Sequence, residues 1–202
     1  MSYDGVVSRY LNRPLSRPAA RALAHTPVTP NAVTMFTLLL AMGCAVLTAA
    51  GANIAGGILI QAVSVVDGVD GELARLRNRA TRLGEVLDAV TDRYADALII
   101  GAMTVYAVRF ESWQHAEFVG LLAVGAALTV SYSRGRIEAS MRLAPSDGVF
   151  GLASRDVRSL VAAVGTVSGQ CYITLVILFA VSALTIAWRL LYLRLRWRTL
   201  MA

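Results

Sequence analysis

Apolar runs joined by short polar segments recur from Val33 to Trp188, and each is long enough to read as a helix rather than a strand. Thr29-Pro30-Asn31 opens the first, with Pro near the first turn, and predicts a helix to about residue 50. Residues 51–53 form an uncharged turn, and a second helix begins near Ile54. It reaches Asp67 after roughly fifteen apolar residues, about 22 Å at 1.5 Å each. A third helix starts near Gly84 and runs to Val108, and a fourth spans about 118–140. Pro145-Ser146-Asp147-Gly148 is a strong turn signal after it. Ser154 is placed as N-cap of a fifth helix, with Asp156 in its first turn, ending near Ser168-Gly169-Gln170. A sixth runs from Tyr172 past Trp188.

Ahead of these, Arg9, Arg13, Arg17 and Arg21 recur at steps of four, with Val6, Leu11, Leu15 and Leu23 among the residues between. That is a basic strip on an amphipathic segment, broken by Pro14 and Pro18. It suits either contact with an anionic membrane surface or simple fixing of orientation. Residues 1–30 have no apolar core, so no cleavable signal peptide is expected.

Composition then narrows the class. The chain is 56% hydrophobic and 16% charged over 202 residues, too apolar for an ordinary soluble domain. The expected fold is all-α: a polytopic membrane protein with six transmembrane helices over 31–202 behind a cytoplasmic amphipathic segment at 1–30. The formal charge is +6 and every basic residue is Arg. The Arg groups fall between apolar runs, as topology signals do, so no nucleic-acid partner is expected. With six spans, the groups at 9–21, 75–82, 134–158 and 189–198 share one side, and only Arg109 lies clearly on the other. One long helix over 159–188 would put the last group on the wrong side. The expectation is a multi-pass protein of the cell membrane with both termini cytoplasmic. Cys44 and Cys171 read as small core residues.

The stretch from Asp67 to Asp96 breaks the apolar pattern, holding seven of the thirteen acids. Asp67 and Asp70 share a helix face that Gly71 and Ala74 continue. Gly84, Asp88, Asp92 and Asp96 follow at steps of four, one stripe of the next helix. Two helices joined by the Arg-rich turn would point these carboxylates at each other. A carboxylate at the centre of a span costs about 2.5–3.5 kcal/mol on insertion scales, so something must offset it. Pairing with local arginines is one answer, but the acids line one face while Arg75 to Arg82 occupy the turn. Hard divalent cations fit better, since clustered carboxylates can share one or two such ions. The absence of nearby His or Cys disfavours zinc. Two adjacent ions are a device for phosphoryl transfer. Gly71, Ala74 and Gly84 would admit either a ligand or a neighbouring helix.

Asp67-x2-Asp70-Gly71-x2-Ala74-Arg75-x8-Gly84-x3-Asp88-x3-Asp92 resembles the signature of the CDP-alcohol phosphotransferase family, with every fixed position present. The resemblance implies transfer of a phosphoalcohol from a CDP-alcohol to an acceptor hydroxyl with release of CMP. It implies that Asp67, Asp70, Asp88 and Asp92 hold Mg2+ or Mn2+, two ions, and that Asp92 is also the general base. It further implies nucleotide contacts from Asn31, Thr34, Asp70, Gly71, Ala74, Arg75 and Gly84, an active site facing the cytoplasm, and a homodimer.

For the acceptor, Arg134, Arg155 and Arg158 are candidates, because guanidinium matches phosphate bidentately; positive-inside topology explains them equally. Family members that use inositol phosphate resemble this chain in carrying basic residues near these positions. Ser154-Arg155-Asp156-Val157-Arg158 is similar to the matching stretch of archaeal di-inositol-phosphate phosphate synthases. The expected acceptor is a phosphorylated polyol such as inositol phosphate, with membrane lipids as surroundings. The rival reading is a divalent-cation or proton-coupled transporter, since intramembrane acids also mark ion paths. Its weakness is that helices two and three turn purely apolar beyond the acids.

Overall fold

The computed structural model describes residues 7–141 and 153–200, all helices and short joints. Among the described residues there are seven α-helices: α1 Arg13–Ala24, α2 Pro30–Ala49, α3 Asn53–Leu76, α4 Arg82–Tyr106, α5 Ala116–Met141, α6 Arg155–Val167 and α7 Cys171–Leu200. Four of them, α2, α3, α5 and α7, are long and apolar enough to cross a membrane. The other two large elements fail that test for different reasons. α4 carries Arg82, Glu85, Asp88, Asp92, Arg93 and Asp96 between its start and its middle turns. α6 has 13 residues, about 20 Å of helix. The turn expected at 145–148 lies outside the described residues.

The amphipathic segment is not broken by its prolines, contrary to expectation. Ser8–Asn12 winds as a π-helical turn that runs straight into α1. Pro14 sits at the start of α1, where a missing N–H costs little, and only Pro18 is truly internal. α1 is fastened to α3 at both ends. Arg13 pairs with Glu72 at 3.2 Å. Arg77 donates to the carbonyls of Leu23 (2.6 Å), Ala24 (3.2 Å), Thr26 and Val28 (2.5 Å), filling the acceptors that a helix end leaves open. Ala20, Val33, Val69 and Leu73 pack between α1, α2 and α3 beneath these bonds.

The break between α6 and α7 falls where the sequence puts it. Gly169 adopts φ +66°, a left-handed conformation that ends α6. Glu111, at the end of the π-helical turn that follows α4, accepts the amides of Cys171 (2.5 Å) and Tyr172 (2.9 Å) and caps α7. Trp113 stacks on Tyr172 beside it, centroids 4.9 Å apart.

The main core lies at this end of the bundle. Six of its fourteen buried members are Ala, joined by Ile60, Ile99, Ile100, Met103, Leu175 and Leu178. Small residues let helix backbones approach closely, which is how helices associate where lipid removes the usual hydrophobic drive. The opposite end carries the close of α3 and the start of α4. α2 packs on both α3 and α4, and α6 packs on α3, but α3 and α4 do not pack closely on each other. The wedge between them holds the acids.

Candidate active site

Two helix starts and one helix end frame the wedge. Thr29 accepts the Ala32 amide at 3.2 Å and caps α2, setting Asn31 and Thr34 on its first turn. Thr81 accepts the Gly84 amide at 3.0 Å and caps α4, so Asp88, Asp92 and Asp96 descend one face a turn apart. α3 delivers Asp67 and Asp70 from its last turns.

Asp67, Asp88 and Asp92 each bring a carboxylate oxygen within 4.8 Å of the other two. Asp70 stands outside this triad. It is buried, and it accepts Thr34 Oγ1 at 2.5 Å and the Gly71 amide at 2.5 Å.

Two cavities meet at Asp70 and Asp88, and Asp92 lines neither. One, of about 310 Å³, is lined by Asn31, Thr34, Asp70, Gly71, Ala74, Arg75 and Gly84, all seven of the residues expected on the nucleotide side, together with Asp88. The other, of about 250 Å³, is lined by Asp67, Asp70, Gly71, Arg75 and Asp88. Its far wall is Arg134, Ser154, Arg155 and Asp156, and Ser8, Asn12 and Arg13 of the N-terminal segment close it. Asp70, Gly71, Arg75 and Asp88 therefore belong to both cavities. A Cβ built on Gly71 would meet only the Arg75 guanidinium, at 3.6 and 3.8 Å, so the bare backbone there leaves room for a ligand rather than for a helix.

Arginine pairing is present after all, but not from the turn. Arg155, at the start of α6, bonds Asp67 and Asp92 through Nη1, the latter at 2.9 Å, and its Nε lies 3.5 Å from Asp96. Arg158 is buried and donates to Asp96 at 2.6 Å and to the Ala153 carbonyl at 2.6 Å. It does not line the smaller of these two cavities, whereas Arg134 and Arg155 do. Asp92 is also 3.4 Å from Arg93. Asp88 has no ion pair among the described residues. Five carboxylates thus face Arg155 and Arg158, with Arg93 also on Asp92, and negative charge is left over beside two open cavities. An all-oxygen set with surplus charge fits a hard divalent cation.

Ser154 has the backbone angles of an N-cap, yet its hydroxyl caps nothing and is buried without a partner. Three features escaped the sequence reading. Asp96, on the step-of-four stripe but beyond the motif, anchors both α6 arginines. Arg189, buried in α7, donates to the Val130 carbonyl (2.6 Å) and Ser133 (2.7 Å), holding the turn of α5 that presents Arg134. Ser8 donates its amide to Asp156 at 2.8 Å, tying the N-terminal segment to α6. Only Asp96 left a trace in the local pattern; the other two depend on contacts across more than fifty residues.

Known proteins resemble this chain in sequence and in fold. The profile of the CDP-alcohol phosphatidyltransferase family matches residues 27–195. The bifunctional IPC transferase and DIPP synthase of Rubrobacter xylanophilus is 42% identical over 166 residues, which is 82% of this chain and 37% of that one. The chain therefore spans little more than a third of that relative. A phosphatidylinositol phosphate synthase of Corynebacterium glutamicum is 33% identical over 171 residues, covering 82% of this chain and 76% of that one. The crystal structure of Mycobacterium tuberculosis phosphatidylinositol phosphate synthase with manganese and citrate superposes with a TM-score of 0.74 at 26% identity, over 87% of each chain. These relatives favour a transferase over a transporter. Motif, fold and kinship agree: the chain belongs to the CDP-alcohol phosphatidyltransferase family.

Proposed function

We propose that this chain moves a phosphoalcohol from a CDP-alcohol to a hydroxyl of a phosphorylated polyol of the inositol phosphate class, releasing CMP. The observation that carries the proposal is the shared wall: two cavities, one bearing the motif glycines and the other arginines, meet at Asp70, Gly71, Arg75 and Asp88. A donor phosphate and an acceptor hydroxyl must meet at one point, and this is the point the two spaces have in common.

In this reading Asn31, Thr34, Gly71, Ala74, Arg75 and Gly84 hold the cytidine diphosphate in the larger cavity. Asp67, Asp70, Asp88 and Asp92 hold Mg2+ or Mn2+, two ions, as the manganese in the mycobacterial relative's structure encourages. When bound, the ions supply positive charge against the pyrophosphate and the departing CMP. Arg134 and Arg155 orient the acceptor phosphate, with Arg158 supporting Arg155 through Asp96 rather than touching the substrate. Asp92 takes the proton as the acceptor oxygen attacks the phosphorus of the phosphoalcohol. The bond to CMP breaks, and CMP leaves with the electron pair. The inositol phosphate preference draws on the names of the relatives, all of which concern inositol phosphates or IPC.

The proposed setting is the cell membrane, with α2 to α7 as six spans behind the juxtamembrane segment at 1–30, and a homodimer as the working unit. Residues 97–106 of α4 carry no charge, so its charged part would sit at the cytoplasmic face beside both cavities. A cysteine placed at Leu200 and labelled only from outside the cell would overturn this orientation.

The direct test is CMP release by the purified protein, with CDP-diacylglycerol or CDP-inositol as donor and inositol phosphate, inositol or serine as acceptor. Turnover should need the phosphorylated acceptor. Equal use of free inositol or serine would remove the acceptor assignment, and no CMP from any pair would remove the reaction.

A further inference from the structure

The geometry points to Arg155 as an internal counter-cation that changes places with the divalent ion, so that metal loading and acceptor-phosphate binding reinforce each other. This rests on the proposed metal-dependent reading of the same site.

Arg155 Nη1 touches Asp67 and Asp92 at once. Those are two of the three residues whose carboxylate oxygens cluster within 4.8 Å. A guanidinium nitrogen and a metal ion compete for the same oxygen lone pairs, and both carry positive charge. They do not share that place. Without the ion, Arg155 offsets the repulsion among these three half-buried acids by pairing with two of them. With it, the guanidinium must give up Asp67 and Asp92.

It is not lost to the site when it does. Its Nε faces Asp96 at 3.5 Å, and that nitrogen is buried with no hydrogen bond in the present arrangement. Asp96 is itself fixed by Arg158 at 2.6 Å, and Arg158 by the Ala153 carbonyl. Asp96 thus serves as a pivot on which Arg155 closes fully when its other partners leave. The freed Nη groups then face the 250 Å³ cavity that Arg155 already lines with Arg134. An anion there stabilises the released position, and by linkage whatever draws Arg155 off the acids strengthens ion binding by the same factor. Arg155 is on this account a positioning residue for the ion site, acting through Asp67 and Asp92.

The test is Mn2+ affinity, read from the free-Mn2+ electron paramagnetic resonance signal of the full chain in detergent, without turnover. Arg155→Gln should bind Mn2+ at least tenfold more tightly than the unsubstituted chain while releasing CMP more slowly. A merely structural clamp predicts the reverse, because disordered acids bind the ion worse. Inorganic phosphate should tighten Mn2+ binding several-fold in the unsubstituted chain and leave Arg155→Gln unchanged. If the variant does not fold, the unsubstituted chain decides alone: phosphate must tighten Mn2+ binding several-fold. Independent or antagonistic binding overturns the exchange, as does equal or weaker Mn2+ affinity in the variant. If neither protein binds Mn2+ at all, the metal-dependent reading falls with it.

Discussion

Two glycines on α3 offer a controlled comparison, because the same methyl group should do opposite things at each. At Gly57 a Cβ would lie 2.5 Å from Val167 Cγ2, 2.7 Å from the Val167 amide nitrogen and 2.8 Å from the Ala163 carbonyl. Backbone atoms cannot move aside cheaply, so Gly57→Ala should push α3 off α6 at a cost of about 1–3 kcal/mol. For a chain of this size each kcal/mol shifts the melting temperature by roughly 2–4 °C. At Gly71 the nearest atoms are the tip of Arg75, at 3.6 and 3.8 Å, an ordinary contact. Gly71→Ala should therefore leave stability unchanged or raise it by up to about 1 kcal/mol through helix propensity. Its methyl group would instead stand in both cavities. If the donor packs there as tightly as side chains pack in a core, the loss is again about 1–3 kcal/mol, or roughly 5- to 150-fold in affinity. Thermal unfolding in one detergent and CDP-alcohol binding by calorimetry read the two effects separately. The reasoning fails if Gly71→Ala melts as early as Gly57→Ala, or if it binds CDP-alcohol normally.

Asp92→Asn should cut turnover by about 10²–10⁴ while CDP-alcohol still binds, as expected for loss of a base; near-normal kcat would remove that role. Asp70→Asn should weaken divalent-dependent CDP-alcohol binding, and titrating Mn2+ against the variant would show an unchanged midpoint if Asp70 is not a ligand. Saturating chelator should abolish CMP release, and excess Mg2+ or Mn2+ should restore it; persistent release under chelation would exclude a metal role. Glu111→Ala removes two charge-assisted bonds to the start of α7 and should cost about 1.5–3 kcal/mol of stability, with CDP-alcohol affinity untouched. An unchanged melting temperature would show that the cap is dispensable.

How much of this was legible in the sequence depends on how far apart the interacting residues lie. Helix starts at Thr29-Pro30 and Ser154 and the break at Gly169 are local events, governed by the few residues on either side, and the pattern located them. Thr81 was missed because its hydroxyl caps Gly84 from inside an Arg-rich turn that carried a louder signal. Pro14 misled because a proline at a helix start costs little, and α1 runs on through Pro18 despite its internal place. The acids were legible because steps of three and four fix a face wherever a helix forms. Their partner was not. Arg155 reaches Asp67 and Asp92 only because α6 packs on α3 and touches α4, a tertiary fact with no local trace.

That same tertiary fact alters what the acids can be said to do. On sequence alone, four aligned carboxylates demand a compensating cation, and an ion is the obvious one. The folded chain already supplies part of that charge through Arg155 and Arg158, so compensation by itself no longer argues for metal. What argues for it is the remainder: Asp70 and Asp88 form the wall between the cavities, and neither has an ion pair among the described residues. A protein needing only internal neutrality would pair these two acids as well, and would fill the wedge. This one leaves α3 and α4 without close packing, keeps Gly71 bare, and pairs the one arginine of that wall, Arg75, with Glu72 rather than with Asp70 or Asp88. An arrangement that leaves charge and space together at one point is built to receive a cation and the phosphates it binds.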